Sequence, residues 1–86
     1  MASDEIEVTR TAEGQLRKLD RQARRRVLRA IQALADGPRP QGSRKLTGYD
    51  DVFRIRVATH RVLYSVEDRK LVVLILKIGH RRDLYR

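Results

Sequence analysis

The chain has 86 residues, a length that fits one domain with a single modest core. It carries 20 Lys and Arg against 11 Asp and Glu, a net charge of +9. This excess favours a polyanionic partner, most simply RNA, over a surface that is charged only for solubility. The absence of cysteine excludes disulfides, thiolate nucleophiles and Cys-based zinc sites, and it fits a reducing cytoplasm.

Neither secretion nor membrane insertion is predicted. Met1–Glu7 is acidic and lacks the apolar centre of a signal peptide, and the longest apolar run, Leu71–Leu76, is too short to span a bilayer. We therefore expect one soluble cytoplasmic domain, residues 1–86, with no membrane partner.

The first half of the chain predicts a strand followed by two helices. Alternating polar and apolar residues predict a strand over Glu5–Thr9. A short amphipathic helix is expected from Thr11, a possible cap, to about Leu19. A second, longer helix is expected between Asp20, its cap, and Gly37, which precedes a proline.

The predicted second helix has two contrasting sides. One carries a stripe of apolar residues, whereas much of the rest carries arginine. These arginines are Arg21, Arg24, Arg25, Arg26 and Arg29.

The second half predicts three strands after an ordered connection. The connection is Gly37–Gly48, in which Ser43–Leu46 can pair briefly at a sheet edge. Strands with a period of two are expected over Val52–Val57 and Arg61–Val66. The continuous apolar run Leu71–Ile78 is typical of a strand that is buried on both faces.

The resulting order is β-α-α-β-β-β, an α+β fold. A helical hairpin should pack on one face of a small, mainly antiparallel sheet, because the apolar stripes of the helices need a surface to cover. The opposite face is where outward-pointing arginines are expected.

Three of these arginines form a candidate anion site. Arg54 and Arg56 share one strand face, and Arg61 begins the next strand across a short turn. Three neighbouring guanidiniums repel one another, so their grouping favours a bound anion. Without an anion, each would be an ordinary solvated residue.

The C-terminal tail adds further candidates. His80 can titrate near neutral pH, Tyr85 can stack on a base, and Asp83 can orient a neighbouring cation. From composition alone, the same tail would be a frayed terminus.

Five segments together resemble the RelE family, the toxins of type II toxin–antitoxin pairs within the RelE/ParE superfamily. They are Arg44–Gly48, Val52–Val57, His60–Tyr64, Leu71–Ile78 and Gly79–Tyr85, in this order along the chain. The resemblance implies the fold predicted above and extends over nearly the whole chain.

The resemblance also implies a function. Such proteins are endoribonucleases (mRNA interferases) that cleave mRNA, in many cases at the ribosome, and so inhibit translation. The 2′-hydroxyl attacks the adjacent phosphodiester, which leaves a 2′,3′-cyclic phosphate and a free 5′-hydroxyl. No cofactor or metal is implied. A cognate antitoxin, here expected to be acidic, binds and silences the toxin.

The resemblance also implies site residues, namely the positions of this chain that match the family's motifs. The candidate catalytic residues are Arg54, Arg56, Arg61, His80, Arg81 and Tyr85, and the candidate RNA-binding residues are Arg44, Lys45 and Arg82. The arginines would stabilise the charge that develops on the scissile phosphate. Tyr85 would stack on an mRNA base, and His80 is the first candidate for proton transfer, ahead of Tyr85.

The sequence departs from the family where members often carry lysine and this chain has Arg54 and Arg56. Arginine stays protonated, so neither residue is expected to act as a base.

Two alternative functions stay open. One is a ParE-type inhibitor of DNA gyrase with the same fold, and the other is an RNA- or ribosome-binding module without catalysis.

Overall fold

The structure is a computed structural model that describes residues 4–46, 48 and 51–80. Two helices and five strands follow the order predicted from the sequence, with one short edge strand added. They are β1 (Glu5–Val8), α1 (Arg10–Lys18), α2 (Arg21–Asp36), β2 (Arg44–Lys45), β3 (Val52–Val57), β4 (His60–Glu67) and β5 (Val72–His80). The predicted α+β class and the helical hairpin are confirmed.

The strands form one sheet in the order β1-β5-β4-β3-β2. The pairs β2–β3, β3–β4 and β4–β5 are antiparallel, whereas β1 lies parallel to β5. A parallel neighbour requires a crossover, and the two helices provide it between β1 and the antiparallel strands. The helices consequently cover one face of the sheet and leave the other open.

The core lies between the helices and the sheet. It consists of buried side chains from α1, α2 and the three long strands: Ala12, Val27, Ile31, Leu34, Phe53, Ile55, Val62, Tyr64, Val66, Val73, Ile75 and Ile78. Tyr64 is the largest fully buried side chain among them, and its hydroxyl donates a hydrogen bond to the carbonyl of Pro38 at 2.8 Å. That bond ties the end of α2 to the sheet.

The first helix begins earlier than the sequence indicated. Its cap is Thr9, not Thr11: the Thr9 hydroxyl accepts from the backbone N–H of Ala12 at 3.1 Å and donates to the carbonyl of Leu76 at 2.9 Å. The bond to β5 explains the shift, because a contact so distant in sequence leaves no local signal. The second cap was predicted correctly, since the Asp20 carboxylate accepts from Ala23 at 2.7 Å.

The last strand is buried on one face rather than on both. Val73, Ile75 and Ile78 are buried beneath the helices, but Val72 and Leu74 are only half-buried and Lys77 is exposed. Leu71 lies outside the strand, in a turn with φ of 54°, and is 47% exposed. The expected double burial is therefore wrong, because nothing in the described residues covers the second face.

A register shift in β5 decides which way its end points. Tyr64 is opposite Ile75 while Leu63 is opposite Lys77, so Leu76 is an extra residue in β5. Such a bulge reverses the alternation of the residues that follow. As a result, Ile78 and His80 point to the helix side.

Candidate functional site

Four arginines gather on the open face of the sheet. Arg54 and Arg56 share a face of β3 because they are two residues apart. Arg56 is directly opposite Arg61 of β4, and Arg54 is directly opposite Arg44 of β2. Since opposed residues share a face, the register groups Arg54, Arg56 and Arg61 as the sequence suggested, and it adds Arg44.

These arginines surround a cavity of about 310 Å³, which we call the arginine cavity. Its described lining consists of Gly42, Arg44, Arg54, Ile55, Arg56 and Arg61. None of these lining residues carries a carboxylate, so the cavity concentrates positive charge. A site of this kind attracts a phosphate group, which guanidiniums can grip through paired N–H donors.

The arginines differ in their exposure to solvent. Arg61 is 8% exposed and is the one buried charged residue in the described part of the chain, whereas Arg54 is half-buried and Arg56 is exposed. A buried guanidinium has few conformations left to lose, so it is largely fixed before an anion arrives. Arg56 remains accessible from solvent.

A bend in the α2–β2 connection forms one wall of the cavity. Gly42 has φ of 95°, a conformation that favours glycine, and open space surrounds the position where a Cβ would stand. The N–H of Ser43 donates to the carbonyl of Pro40 at 3.0 Å. This turn directs the chain into β2 and places Arg44 beside Arg54.

Arg39 anchors the same connection to the sheet. Its guanidinium donates to both carboxylate oxygens of Asp68, at 3.2 and 2.9 Å, and lies 5.2 Å from the ring centroid of Phe53. The hydrogen bonds from Arg39 lower the pKa of Asp68, and the carboxylate raises the pKa of Arg39. Burial raises the pKa of the nearby Tyr64 phenol.

His80 does not lie at the arginine cavity. It is opposite His60 on the helix side of the sheet, and the two imidazole centroids are 6.0 Å apart in an edge-to-face arrangement. These are the two histidines of the chain. The bulge in β5 explains the placement, since without the extra residue His80 would share a face with Arg61.

A second cavity, of about 340 Å³, contains both histidines. It lies where α1 meets the end of β5 and is lined by Gln15, Lys18, Leu19, His60, Lys77, Ile78, Gly79 and His80. Gln15 fixes this end, because its side-chain oxygen accepts from the N–H of Ile78 at 2.7 Å. Lys77 is opposite Leu63 and so belongs to the open face by register, yet it also lines this cavity, in the part of β5 that extends beyond its pairing with β1.

The remaining candidates are separated from the cavity or lie outside the described residues. Lys45 is opposite Phe53, so its position belongs to the helix side of the edge strand. Arg81, Arg82 and Tyr85 fall outside the residues that the structure describes. Sequence reasoning missed Gly42; the Pro-x-Gly pattern before β2 was the available signal.

Within residues 4–46, 48 and 51–80, His, Asp and Glu form no group of three or more that could hold a metal ion. Neither described helix is long and apolar enough to cross a membrane.

A helical hairpin on one face of a five-stranded, mostly antiparallel sheet matches the RelE-like fold of small toxins. Residues 6–85 match the family described as the ParE toxin of the type II toxin–antitoxin system, parDE, and the chain belongs to this family. The RelE/ParE resemblance predicted from the sequence is thereby confirmed.

Solved structures give the same assignment. A chain of the archaeal RelE–RelB complex from Pyrococcus horikoshii OT3 is 28% identical with a TM-score of 0.83, covering 94% of this chain and 98% of that chain. A chain of the intact Escherichia coli RelBE toxin–antitoxin complex is 25% identical with a TM-score of 0.81, covering 91% and 96%.

One curated relative is also similar over part of its length. Toxin RelG of Mycobacterium tuberculosis is 42% identical over 43 residues, which is 50% of this chain and 46% of that protein. The chain therefore matches about half the length of this relative.

Proposed function

We propose that the protein is a toxin that acts in the cytoplasm as an endoribonuclease and cleaves mRNA at the ribosome. The 2′-hydroxyl of one nucleotide attacks the adjacent phosphorus, the bond to the 5′-oxygen of the next nucleotide breaks, and that oxygen takes up a proton. The products are a 2′,3′-cyclic phosphate and a 5′-hydroxyl. Loss of intact mRNA would inhibit translation.

The arginine cavity is the observation that carries this proposal. The attack places extra negative charge on the non-bridging oxygens of the phosphate, and fixed cations stabilise that charge more than they stabilise the ground state. Arg54, Arg56 and Arg61 line one cavity from two adjacent strands, and Arg44 completes it from the edge strand. Guanidiniums supply here the charge that a bound metal supplies in other nucleases, so the reaction needs no metal ion.

The proposed division of labour follows from position and burial. Arg61, which is buried and fixed, would hold a non-bridging oxygen, and Arg56, which is exposed, would meet the phosphate as it enters. Arg54 and Arg44 would contact the flanking phosphate. Correct alignment of the 2′-hydroxyl with the leaving oxygen would supply much of the remaining acceleration.

Proton transfer is assigned differently from the sequence-based expectation. With His80 on the helix side, no histidine lies among the residues that line the arginine cavity. We propose that water carries the protons while the arginines lower the barrier, and that Arg81 and Tyr85 of the tail contribute phosphate contact and base stacking. Both tail roles stay predictions from the RelE resemblance.

A cognate acidic antitoxin is the proposed protein partner. Related toxins are found in complexes of RelE with RelB, from both an archaeon and a bacterium. An acidic segment that covered the arginine cavity would neutralise its charge and exclude RNA in the same step. Mixing with the product of an adjacent acidic open reading frame should abolish cleavage at equimolar ratio.

Inhibition of DNA gyrase is the second candidate function, because the matched family is described by the ParE toxin. The same preparation should therefore be tested in two assays. One measures cleavage of 5′-labelled mRNA with and without programmed ribosomes, and the other measures supercoiling by gyrase. Cleavage without loss of supercoiling supports the proposal, whereas gyrase inhibition without cleavage contradicts it.

A further inference from the structure

A second basic surface lies on the outer side of α2. Arg21, Arg25 and Arg29 are spaced by four residues, so they form one line along the helix, with a rise of about 6 Å between neighbours. All three are exposed, and the side of α2 opposite to them packs into the core through Val27 and Ile31. We call these three residues the arginine row.

The arginine row is costly for the helix that carries it. Like charges at a spacing of four residues repel, and positive charge near a helix N-terminus opposes the helix dipole. The first turn of α2 contains no acidic residue, and Asp36 at the last position is its one carboxylate. None of the ion pairs within the described ranges includes a member of the row. The charge is therefore available to an external partner.

The arginine row and the arginine cavity face opposite sides of the molecule. The row lies on the outside of the helical layer, while the cavity opens on the uncovered face of the sheet. Two different segments of a large polyanion can therefore occupy them at the same time.

We propose that the arginine row binds the phosphate backbone of double-stranded RNA. This assignment rests on the proposed function, in which a single-stranded RNA occupies the cavity and a structured RNA lies beside it. The row would hold the protein against the double-stranded part of a large RNA while the cavity engages the strand to be cut.

The chemistry of α2 favours a duplex over other polyanions. Single-stranded nucleic acid is usually held by stacking on aromatic residues, and α2 contains none. An amphipathic acidic protein helix would need an apolar stripe, but Leu28 is the one exposed large hydrophobic residue of α2. A straight row of guanidiniums suits a rigid line of phosphates, and such contacts are independent of base sequence.

The test compares two triple variants of the full chain. The row variant is R21Q/R25Q/R29Q, and its control, R17Q/R69Q/K70Q, removes three exposed positive charges elsewhere. Binding is measured by fluorescence anisotropy against an RNA duplex of about 16 base pairs and against single-stranded RNA of the same sequence. Both RNAs carry 2′-O-methyl groups in place of the attacking 2′-hydroxyls and so cannot be cleaved by the proposed mechanism, which makes the result independent of nuclease activity.

We expect the row variant to bind the duplex at least about tenfold more weakly than the wild type at low salt. The slope of log affinity against log salt concentration should decrease in magnitude by about three, one for each lost phosphate contact. The control should change both values far less. The row variant should also melt at a higher temperature than the wild type, because repulsion within α2 is removed. A higher melting temperature would exclude misfolding as the cause of the weaker duplex binding.

Three results would overturn the proposal. The first is an equal loss of duplex affinity in the two triple variants, which would indicate net charge alone. The second is binding of a DNA duplex of the same sequence without binding of the RNA duplex. The third is a row variant that keeps its duplex affinity but loses binding to poly-glutamate, which would assign the row to an acidic protein.

Discussion

Arg56 and Arg61 are directly opposed on β3 and β4, with no residue of opposite charge among the described residues that line their cavity. Directly opposed side chains in an antiparallel pair have Cβ atoms about 5 Å apart, and like charges there are destabilising. The opposed pair concentrates positive charge at one point of the sheet and so favours the binding of an anion there. Neutralising Arg56, the exposed member of the pair, should therefore lower activity with little effect on the fold.

Replacing Arg56 with glutamine tests this expectation. The R56Q variant should keep the stability of the wild type to within about 0.5 kcal/mol, because Arg56 is exposed. Cleavage should fall about 100-fold or more in kcat, because one stabilising contact to the developing charge is lost. Urea denaturation and single-turnover cleavage measure the two effects. Arg69→Gln, an exposed arginine in the β4–β5 turn, is the matched control and should change neither strongly.

The same variant separates catalysis from binding. RNA affinity of R56Q should fall less than tenfold, because the other arginines of the cavity still contact phosphate. Equal losses in affinity and in cleavage rate would instead favour the non-catalytic RNA-binding alternative.

Arg54→Lys should introduce a pH dependence of cleavage that Arg54→Gln lacks. Lysine keeps the positive charge, but its ammonium can lose a proton, and neighbouring guanidiniums depress its pKa. The cleavage rate of R54K should therefore rise with pH over the range in which this lysine deprotonates. Arg54→Gln, which cannot titrate, should show no such rise. Parallel pH profiles for the two variants would exclude a base at this position.

The bond between Arg39 and Asp68 predicts how stability responds to acid. Arg39 lowers the pKa of Asp68 in the folded state, so the pair stabilises the protein above the unfolded carboxyl pKa, about 3.9. This contribution is lost as pH falls through the lower, folded pKa. Asp68→Asn should therefore melt below the wild type at pH 6, and the difference should vanish near pH 2. A difference that persists at pH 2 would show that the asparagine disturbs packing instead.

Local patterns in the sequence were sufficient for most of the fold. The cap at Asp20, the end of α2 at Gly37, and the alternation in β3 and β4 each depend on neighbours in the chain, and all were predicted correctly. The grouping of Arg54, Arg56 and Arg61 followed from the same alternation.

The features that were missed depend on contacts between distant residues. Thr9 caps α1 because its hydroxyl also reaches β5. His80 was expected near the arginines, but the extra residue Leu76 reverses the faces of β5 after Ile75. Nothing in the apolar run marks which residue is extra, since any of its neighbours could have occupied that position. The site was therefore predictable for its charge and not for its acid–base chemistry.

The proposed 2′-hydroxyl mechanism is tested best with an mRNA in which the nucleotide at the cut site carries a single 2′-deoxy substitution. We expect the all-ribose mRNA to be cut to a 5′ fragment with a 2′,3′-cyclic phosphate, and the deoxy mRNA to stay intact at that position. Cleavage that persists at the deoxy nucleotide, or no cleavage of the all-ribose mRNA on programmed ribosomes by protein of verified fold, would contradict it.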